Sequence, residues 1–402
     1  MPQKQIYLDY AATAPVDPKV ARAMAPYFSI NFGNASSLHQ AGISAAKAVD
    51  SARATVAKFL NCLADEVYFT SGATESDNLA VLGVIKGVLS QGFVEKSGRK
   101  PHVIVSAIEH DAILEPAKHL EKAGVEVTFL TVGENGIIDP LELQKAIKDN
   151  TIFVSLMLAN NEIGVIQPIE EIGRIISELN EKRRQKIYFH TDATQAPAYL
   201  DCDVAKLRVD LLSFSAHKIY GPKGMGVLFV KKGTPLKPLF YGGGQQGQVR
   251  SGTYNVPGIV GLGKAVELIA DKKIRVKEIK EIKKLRDYLL KSLPKKIKKC
   301  RVTGDPVKRL PNNASFVIEG VEGESVLLML SQKGICVSTG SACSSGSLEP
   351  SHVLLAISLR PEVAHGSLRV TLGRYSKKAD IDALLKELPP IVDKLRAMSP
   401  LK

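Results

Sequence analysis

Residues 213–218 read SFSAHK and are followed by the glycine-rich run IYGPKGMGVLFV over residues 219–230. The apolar run from Val209 to Phe214 predicts a buried strand. Lys218 would then lie where this strand ends and its connection begins, which is where open α/β sheets bind their ligands. A lysine at such a position serves as a salt-bridge donor, as a phosphate ligand or as an amine that forms a Schiff base.

Two further stretches place polar groups at the ends of predicted strands. In YFHTDATQ, residues 188–195, a β-rich run ends at Asp192, and Gln195 follows three residues later. In FTSGATESDNLAVLGV, residues 69–84, a strand is followed by a turn of small residues and then by a helix. Because the N–H groups at a helix N-terminus bind anions, we expect Ala73 and Thr74 in this turn to face one.

Two more positions, His110 and Thr253, complete the set of candidate residues. His110 follows the predicted strand Val103–Ala107 in SAIEHDAI, and Thr253 lies in the glycine-flanked loop RSGTYN. Pyridoxal phosphate requires a lysine amine for its aldehyde, a carboxylate for its pyridine nitrogen, a flat ring to stack on and a cup for its phosphate. Each stretch is weak evidence alone, but together they predict a pyridoxal phosphate site.

Length and composition indicate a globular protein with room for two domains. The chain has 402 residues, of which 45% are hydrophobic and 24% charged, as is ordinary for soluble proteins. The N-terminal sequence lacks an apolar leader, and no stretch reaches the ~20 apolar residues of a membrane helix, so we expect a cytoplasmic protein with no membrane association. The cysteines are odd in number and lack CxxC spacing, which argues against disulfides and structural zinc. They are Cys62, Cys202, Cys300, Cys336 and Cys343.

The net charge of +13 is concentrated in one segment, residues 271–301. Apolar residues recur there at steps of three or four, which predicts an amphipathic helix whose outer face is basic. They are Val276, Ile279, Ile282, Leu285, Leu289 and Leu293. A solvated helix face is the favoured interpretation, while a surface for an acidic partner or RNA stays open and nucleic-acid binding is not expected.

Strand and helix patterns alternate through the first two thirds of the chain. This alternation predicts an α/β fold with a mostly parallel sheet and helices on both faces. After Gly258 the pattern becomes helical, and later strands at Ala314–Ile318 and Ser367–Leu372 predict a smaller α+β unit. We expect a large cofactor-binding domain over residues 16–265 and a small domain over residues 266–402. Residues 87–101 are predicted to be a polar loop.

The motifs together resemble a known family. The order SGATESDN, EH, NNEIG, DATQ, SFSAHKIYGPKG, GGGQQ, RSGT, SGSACSSGSLEPS and SLRVTLGR is similar to that of the cysteine desulfurases, in the class V aminotransferase group of fold type I pyridoxal phosphate enzymes. The resemblance implies conversion of L-cysteine to L-alanine, with the sulfur carried as a persulfide to an acceptor protein, an iron–sulfur scaffold or another thiol carrier. It also implies a homodimer, and residues 1–15 packed on the small domain.

The resemblance assigns roles to the candidate cofactor residues. Lys218 would form the Schiff base and move the substrate's α proton, Asp192 would hold the pyridine nitrogen, and His110 would stack on the ring and exchange protons. Gln195 would reach the phenolic oxygen, and Thr253 the phosphate of the neighbouring subunit. The implied phosphate ligands within the chain are Ala73, Thr74, Ser215 and His217.

For the substrate, the resemblance implies that Arg369 binds the carboxylate, because an arginine forms two parallel hydrogen bonds to it. On chemistry alone, Arg374 in the same segment competes for this role. Asn161 would hold cofactor or carboxylate, and Asn34 would lie in a loop that borders the site, although it is an equally good turn residue.

Cys343 is the residue that distinguishes desulfurases from other members of the group. It lies in VSTGSACSSGSLEPS, residues 337–351, where Ser, Gly and Ala leave it no apolar flank. Loops of this kind can carry a thiol into a site and out to a partner, and a thiolate there would be the nucleophile. No resident metal is expected, and transient iron–sulfur ligation by Cys343 stays open.

Other functions remain as alternatives. A selenocysteine lyase shares this scaffold, and a related class V aminotransferase would use Lys218 without needing Cys343. A basic RNA-binding or scaffold protein with an inactive enzyme fold is disfavoured by the intact site residues. A Rossmann dehydrogenase is disfavoured because no GxGxxG motif opens a helix. Many cysteine desulfurases have a C-terminal tail that contacts the iron–sulfur scaffold, and that tail is longer than residues 399–402 here. We therefore do not assign the acceptor.

Overall fold

The computed structural model describes residues 5–340 and 349–398. Its strands are β1 (Ile6–Tyr7), β2 (Val67–Thr70), β3 (His102–Ser106), β4 (Glu126–Leu130), β5 (Thr151–Ser155), β6 (Tyr188–Asp192), β7 (Leu211–Ser215), β8 (Gly226–Val230), β9 (Cys300–Val302), β10 (Asn313–Ile318), β11 (Ile335–Cys336) and β12 (Ser367–Thr371).

The helices alternate with these strands through most of the chain. They are α1 (Pro18–Met24), α2 (Pro26–Ser29), α3 (Gln40–Leu60), α4 (Ala73–Ser90), α5 (Phe93–Ser97), α6 (Asp111–Lys122), α7 (Pro140–Ala146), α8 (Ile169–Lys182), α9 (Val204–Leu207), α10 (Val256–Ala270), α11 (Lys272–Lys296), α12 (Gly323–Gln332), α13 (His352–Ala356), α14 (Pro361–Ala364) and α15 (Lys378–Met398). Among the described helices, none combines the length and apolar character needed to cross a bilayer.

A seven-stranded sheet forms the centre of the protein, in the order β2-β8-β7-β6-β5-β3-β4. Strands β7, β6, β5, β3 and β4 pair in parallel, whereas β8 is antiparallel to both of its neighbours. The predicted mostly parallel sheet is therefore confirmed. Its parallel strands end at one edge, which brings together the residues that follow β3, β5, β6 and β7.

Helices cover both faces of this sheet. Along β8, Val227 and Phe229 pack in one cluster with residues of α3, α8 and α10, while Leu228 and Val230 pack in another with residues of α4 and α6. Successive side chains of a strand point to opposite faces, so the near-continuous apolar strands fill two cores. The prediction of helices on both faces is confirmed.

A second, smaller unit has its own apolar core. Strands β12, β10 and β9 form an antiparallel sheet, and β1 pairs in parallel with β11. Residues of α11, α12 and α15 share a core with this sheet and with Leu8. Residues 6–8 therefore pack on the smaller unit, while the assignment of residues 1–15 to it stays a prediction. The domain boundaries at residues 15 and 265 stay a prediction, although α10 buries Val266 and Ile269 in the core of the large sheet.

Two local predictions were wrong. Residues 87–101 are not a single loop, since α4 continues to Ser90 and α5 follows. In α11, Val276 is 66% exposed although its spacing placed it on the inner face, whereas Ile282, Leu289 and Leu293 are buried. The first turns of α11 extend past the core that buries its later turns, and the helical period alone does not contain that information.

Candidate active site

A cavity of about 740 Å³ contains the predicted site. It lies at the edge where β6 and β7 end and α4 begins. Two other cavities, of about 560 Å³ beside Cys62 and Asp210 and of about 1070 Å³ beside Arg53 and Tyr254, contain none of the predicted site residues. Ten predicted residues line the 740 Å³ cavity: Ala73, Thr74, His110, Asn161, Asp192, Gln195, Ser215, His217, Lys218 and Arg369.

Lys218 lies one short turn beyond β7, in the 3₁₀ segment Ala216–Lys218. Its Nζ donates hydrogen bonds to the carbonyl oxygens of Ala11 at 2.6 Å and Ala12 at 2.7 Å. The Ala14 N–H group donates to the carbonyl of His217 at 2.8 Å. The segment after β1 therefore closes the cavity beside the lysine, which places the amine in the site rather than on the surface.

Asp192 is the last residue of β6 and is 6% exposed. Its Oδ1 accepts a hydrogen bond from the Thr194 N–H group at 2.8 Å, which fixes the carboxylate at the strand end. Gln195 lies one turn later, and its Nε2 donates to the Ala11 carbonyl at 3.1 Å. Both side chains face the cavity from the same turn, as the spacing in DATQ predicted.

The N-terminus of α4 lies where the sequence predicts a phosphate cup. Ala73 and Thr74 open this helix, and their N–H groups belong to its first turn, which has no acceptors within the helix. The start of β8 passes close behind the turn, where a Cβ atom on Gly226 would lie 2.5 Å from the Gly72 carbonyl carbon. Glycine is therefore required there, because any side chain would displace the cup.

Two histidines of the site differ in their surroundings. His110 caps α6, with its Nδ1 accepting from the Ala112 N–H group at 3.1 Å, so a neutral ring carries its proton on Nε2. His217 lies 3.1 Å from the Thr13 hydroxyl through its Nδ1. Burial, and after it the charges of Lys218 and Lys223, lower the pKa of His217 to about 4. His217 is therefore neutral near pH 7 and suited to hydrogen bonding rather than ion pairing.

Arg369 lies on β12 of the smaller unit and contributes a cation to the wall of the cavity. Its side chain is 3% exposed, and its two Nη atoms donate at 3.1 Å to the Asn161 carbonyl and to Asp9 Oδ1. The competing candidate, Arg374, instead pairs with Asp17 at 2.6 Å and with Glu278 at 3.1 Å. The structure thus places Arg369 in the site, while Arg374 ties α1 to α11.

Three predicted residues do not line the described cavity. Thr253 is exposed, in the loop that Arg250 ties to Glu75 at 2.8 Å. Asn34 is also exposed, and its Oδ1 accepts from the Ser36 N–H group at 2.9 Å, as in a turn. Cys343 lies outside the described residues. Their proposed roles remain predictions.

Sequence reasoning missed three carboxyl groups of the site. Asp9 pairs with Arg369, Asp77 lines the cavity from α4, and Glu109 supports the backbone that carries His110. Glu109 Oε1 accepts from the Ser106 hydroxyl at 2.7 Å and from the Met157 N–H group at 2.8 Å. These acids are present in the motifs YLDY, TESDN and IEH, but without the tertiary structure they are ordinary charged residues.

The arrangement fits pyridoxal phosphate. The cavity combines an amine, a buried carboxylate at a strand end, an imidazole and a helix N-terminus. In addition, Thr194 Oγ1 is buried at this cavity and has no hydrogen-bond partner among the described residues, as expected of a group that serves a ligand. Within residues 5–340 and 349–398, no cluster of His, Cys, Asp and Glu side chains could hold a metal ion.

Comparisons with known proteins identify relatives over the whole length of this chain. A cysteine desulfurase IscS of Dictyoglomus turgidum is 47% identical over 400 residues, covering 100% of this chain and 98% of that protein. A second, from Methanosarcina thermophila, is 49% identical over 402 residues, covering 99% and 94%. Among solved structures, a NifS-like protein matches with a TM-score of 0.87 and 35% identity over 97% of this chain and all of that one. The structure titled "SspA in complex with cysteine" matches with a TM-score of 0.78 and 35% identity, over 92% and 99%.

The family model for aminotransferase class-V matches residues 6–384. This match contains every element that lines the cavity, from β1 through β12. The site residues therefore fall within the family match rather than in an added segment. The chain belongs to the class-V aminotransferase family of pyridoxal phosphate enzymes.

Proposed function

We propose that this protein is a cysteine desulfurase, which converts L-cysteine to L-alanine and transfers the sulfur as a persulfide on Cys343 to an acceptor. The observation that carries the proposal is that Lys218, Asp192 and Arg369 line one cavity. An amine, an anion for the pyridine nitrogen and a cation for the substrate's carboxylate are thus combined. The 47% and 49% identity to cysteine desulfurases supports cysteine as the substrate.

When bound, pyridoxal phosphate withdraws electrons from the α carbon of an amino acid. The residues that would hold it are Ala73, Thr74, His110, Asn161, Asp192, Gln195, Ser215, His217 and Lys218. Asp192 is a charge-assisted hydrogen-bond acceptor for the pyridine N–H group. The backbone of α4 and the neutral His217 supply hydrogen-bond donors for the phosphate.

The protein's own groups then bind the substrate and move its protons. Arg369 binds the carboxylate, and its buried Nε has no hydrogen-bond partner among the described residues. Lys218 Nζ takes the proton from the α carbon, and Lys218 or His110 returns a proton to the three-carbon product. The apolar and backbone groups after β1 limit the access of water to the lysine.

Cys343 completes the reaction in this proposal. Its thiolate forms an S–S bond with the substrate's sulfur as the C–S bond of the substrate breaks, so that L-cysteine and a thiol become L-alanine and a persulfide. The step balances without an added oxidant. Cys343 lies outside the described residues, but the described chain reaches the cavity at Ser338, five residues earlier.

A homodimer is part of the proposal. Thr253 is exposed and does not line the cavity of its own chain, which fits a contact with the phosphate of a second copy. The nearby Phe240 and Tyr241 are 54% and 75% exposed, and large apolar side chains at such exposure favour a covered surface. Light scattering of the purified protein would test it, since a monomer at all concentrations would contradict the assignment of Thr253.

The acceptor and the location are proposed at a coarser level. We propose a protein thiol, on an iron–sulfur scaffold or another carrier, as the acceptor. The cysteines at 62, 202, 300 and 336 are free thiols, in keeping with a reducing compartment such as the cytoplasm. Capture of persulfide acceptors after loading with labelled cysteine would identify the partner, and cell fractionation would test the location.

The activity is tested with the cofactor-loaded protein and L-cysteine, measuring alanine and persulfide. Lys218→Ala should lose the visible absorption of the bound cofactor and all turnover. Cys343→Ser should keep the absorption but form no persulfide, while the control Cys62→Ser, away from the site, should match the parent. If Cys343→Ser makes alanine at the parental rate, the nucleophile is wrongly assigned. Preferred turnover of selenocysteine, or amino transfer to a keto acid, would instead indicate a lyase or an aminotransferase.

A further inference from the structure

A hydrogen-bonded cluster of buried polar side chains lies directly beside Asp192. The Ser213 hydroxyl on β7 donates to Asp77 Oδ1 on α4. His190 on β6 lies 3.2 Å from the same hydroxyl and 3.7 Å from Asp77 Oδ1 through its Nε2, and 2.8 Å from the Ser155 hydroxyl through its Nδ1. This cluster of side chains joins α4 to three neighbouring strands below the cavity.

The register of the strands places this cluster of side chains against Asp192. Asp192 pairs with Ser213 across β6 and β7, and His190 precedes Asp192 by two residues, so their side chains share one face of the sheet. Asp77 also lines the cavity itself. The hydrogen bond between Asp77 and Ser213 therefore lies at the end of the cavity to which Asp192 belongs.

The charges of this cluster are constrained by burial. Burial, followed by the charge of Asp192, holds the pKa of Asp77 well above its usual range, and Glu109 adds to this effect. Burial raises the pKa of Glu109 to about 8 and lowers that of His190 to about 3. Neighbouring carboxylates in a dry site cannot all ionise, so burial and mutual repulsion favour the neutral forms of Asp77 and Glu109, and His190 is neutral near pH 7.

We propose that Asp77 is a positioning residue for the cofactor: through its hydrogen bond to Ser213, which pairs with Asp192 across β6 and β7, it holds the strand end that carries Asp192 in place. The pyridine N–H group needs one anion, and a second charge beside it would weaken binding of the anionic phosphate cofactor. Asp77 Oδ2 is buried and has no partner among the described residues, as suits a protonated oxygen better than a charged one. The inference rests on the role of Asp192 in the proposed function.

The test measures the affinity of the apoprotein for pyridoxal phosphate and the ¹⁵N shift of cofactor labelled at its pyridine nitrogen. Asp77→Asn is uncharged and keeps an acceptor for Ser213, so both quantities should stay within about twofold of the parent. Asp77→Ala leaves Ser213 without its acceptor and should weaken binding by about tenfold. Ser213→Ala, from the other side of the bond, should do the same if Asp77→Ala does not fold.

Ser76→Ala is the matched control. Ser76 is equally buried in the same turn of α4, but its hydroxyl lies 2.7 Å from Thr70 Oγ1 instead of the site, so binding should not change. Three results would each overturn the proposal. The first is parental affinity in both Asp77→Ala and Ser213→Ala, and the second is a loss of affinity in Asp77→Asn as large as that in Asp77→Ala. The third is an equal loss of affinity in Ser76→Ala. An unprotonated pyridine nitrogen in the parent would instead refute the role of Asp192, which separates the two failures.

Discussion

Replacing Glu109 by glutamine should change how stability depends on pH. Glu109 is fully buried, and its Oε1 accepts two hydrogen bonds while its Oε2 has no partner among the described residues. A glutamine can accept both bonds with its oxygen and place its amide nitrogen where Oε2 lies. Glu109→Gln therefore mimics the protonated acid, and we expect it to cost little at pH 5.

The size of the effect follows from the pKa of Glu109, which burial raises from 4.5 to about 8. Between these values the unfolded chain has lost its proton and the folded protein keeps it, so stability falls as pH rises. The slope is about 1.4 kcal/mol per pH unit. From pH 5 to pH 8, the parent should lose roughly 3 to 4 kcal/mol relative to Glu109→Gln.

The assay is urea denaturation of the cofactor-free protein at several pH values, comparing the parent with the variant at each. Replacement of the exposed Glu121 by glutamine, at the C-terminal end of α6, controls for the loss of one acidic group. The pH dependence of buried groups that do not interact with Glu109 cancels in the comparison. Parallel curves, differing by less than about 1 kcal/mol between pH 5 and pH 8, would refute the conclusion that Glu109 is buried as a neutral acid.

Three further variants test the site and the fold. Asp192→Asn should lower turnover by about 10² to 10³, as removal of an electrostatic partner in a water-poor site does, with protein stability retained. Arg369→Lys should raise KM for L-cysteine by at least about tenfold and affect kcat less, because lysine cannot contact Asp9 and Asn161 and also pair with a carboxylate. Gly173→Ala should lower the free energy of unfolding, measured by urea denaturation, by about 1 to 3 kcal/mol, because the added Cβ would lie 2.1 Å from the Leu207 carbonyl oxygen. The control is Glu171→Ala, since Glu171 is exposed on the same helix.

Much of the fold could be predicted because its signals are local. Apolar runs predicted β7 and β3 to within one or two residues: β7 was predicted over Val209–Phe214 and lies over Leu211–Ser215, and β3 was predicted over Val103–Ala107 and lies over His102–Ser106. Turn residues and helix starts then located Lys218, Asp192 and the first turn of α4 at strand ends. These positions needed no knowledge of distant contacts, since a strand followed by a helix in a parallel sheet ends at the ligand-binding edge.

The sequence by itself therefore determined the alternating architecture and the family, and it predicted a set of residues of which ten line one cavity. The tertiary structure decided which of the other charged residues belong to the site. On residue chemistry alone Arg369 and Arg374 are equivalent, but contact with Asp9, 360 residues away, places Arg369 in the cavity. Likewise, the pKa values of Asp77 and Glu109 lie above their usual ranges because strands remote in sequence exclude water around these side chains, and the pKa of a carboxyl group depends on that environment rather than on its neighbours in the sequence.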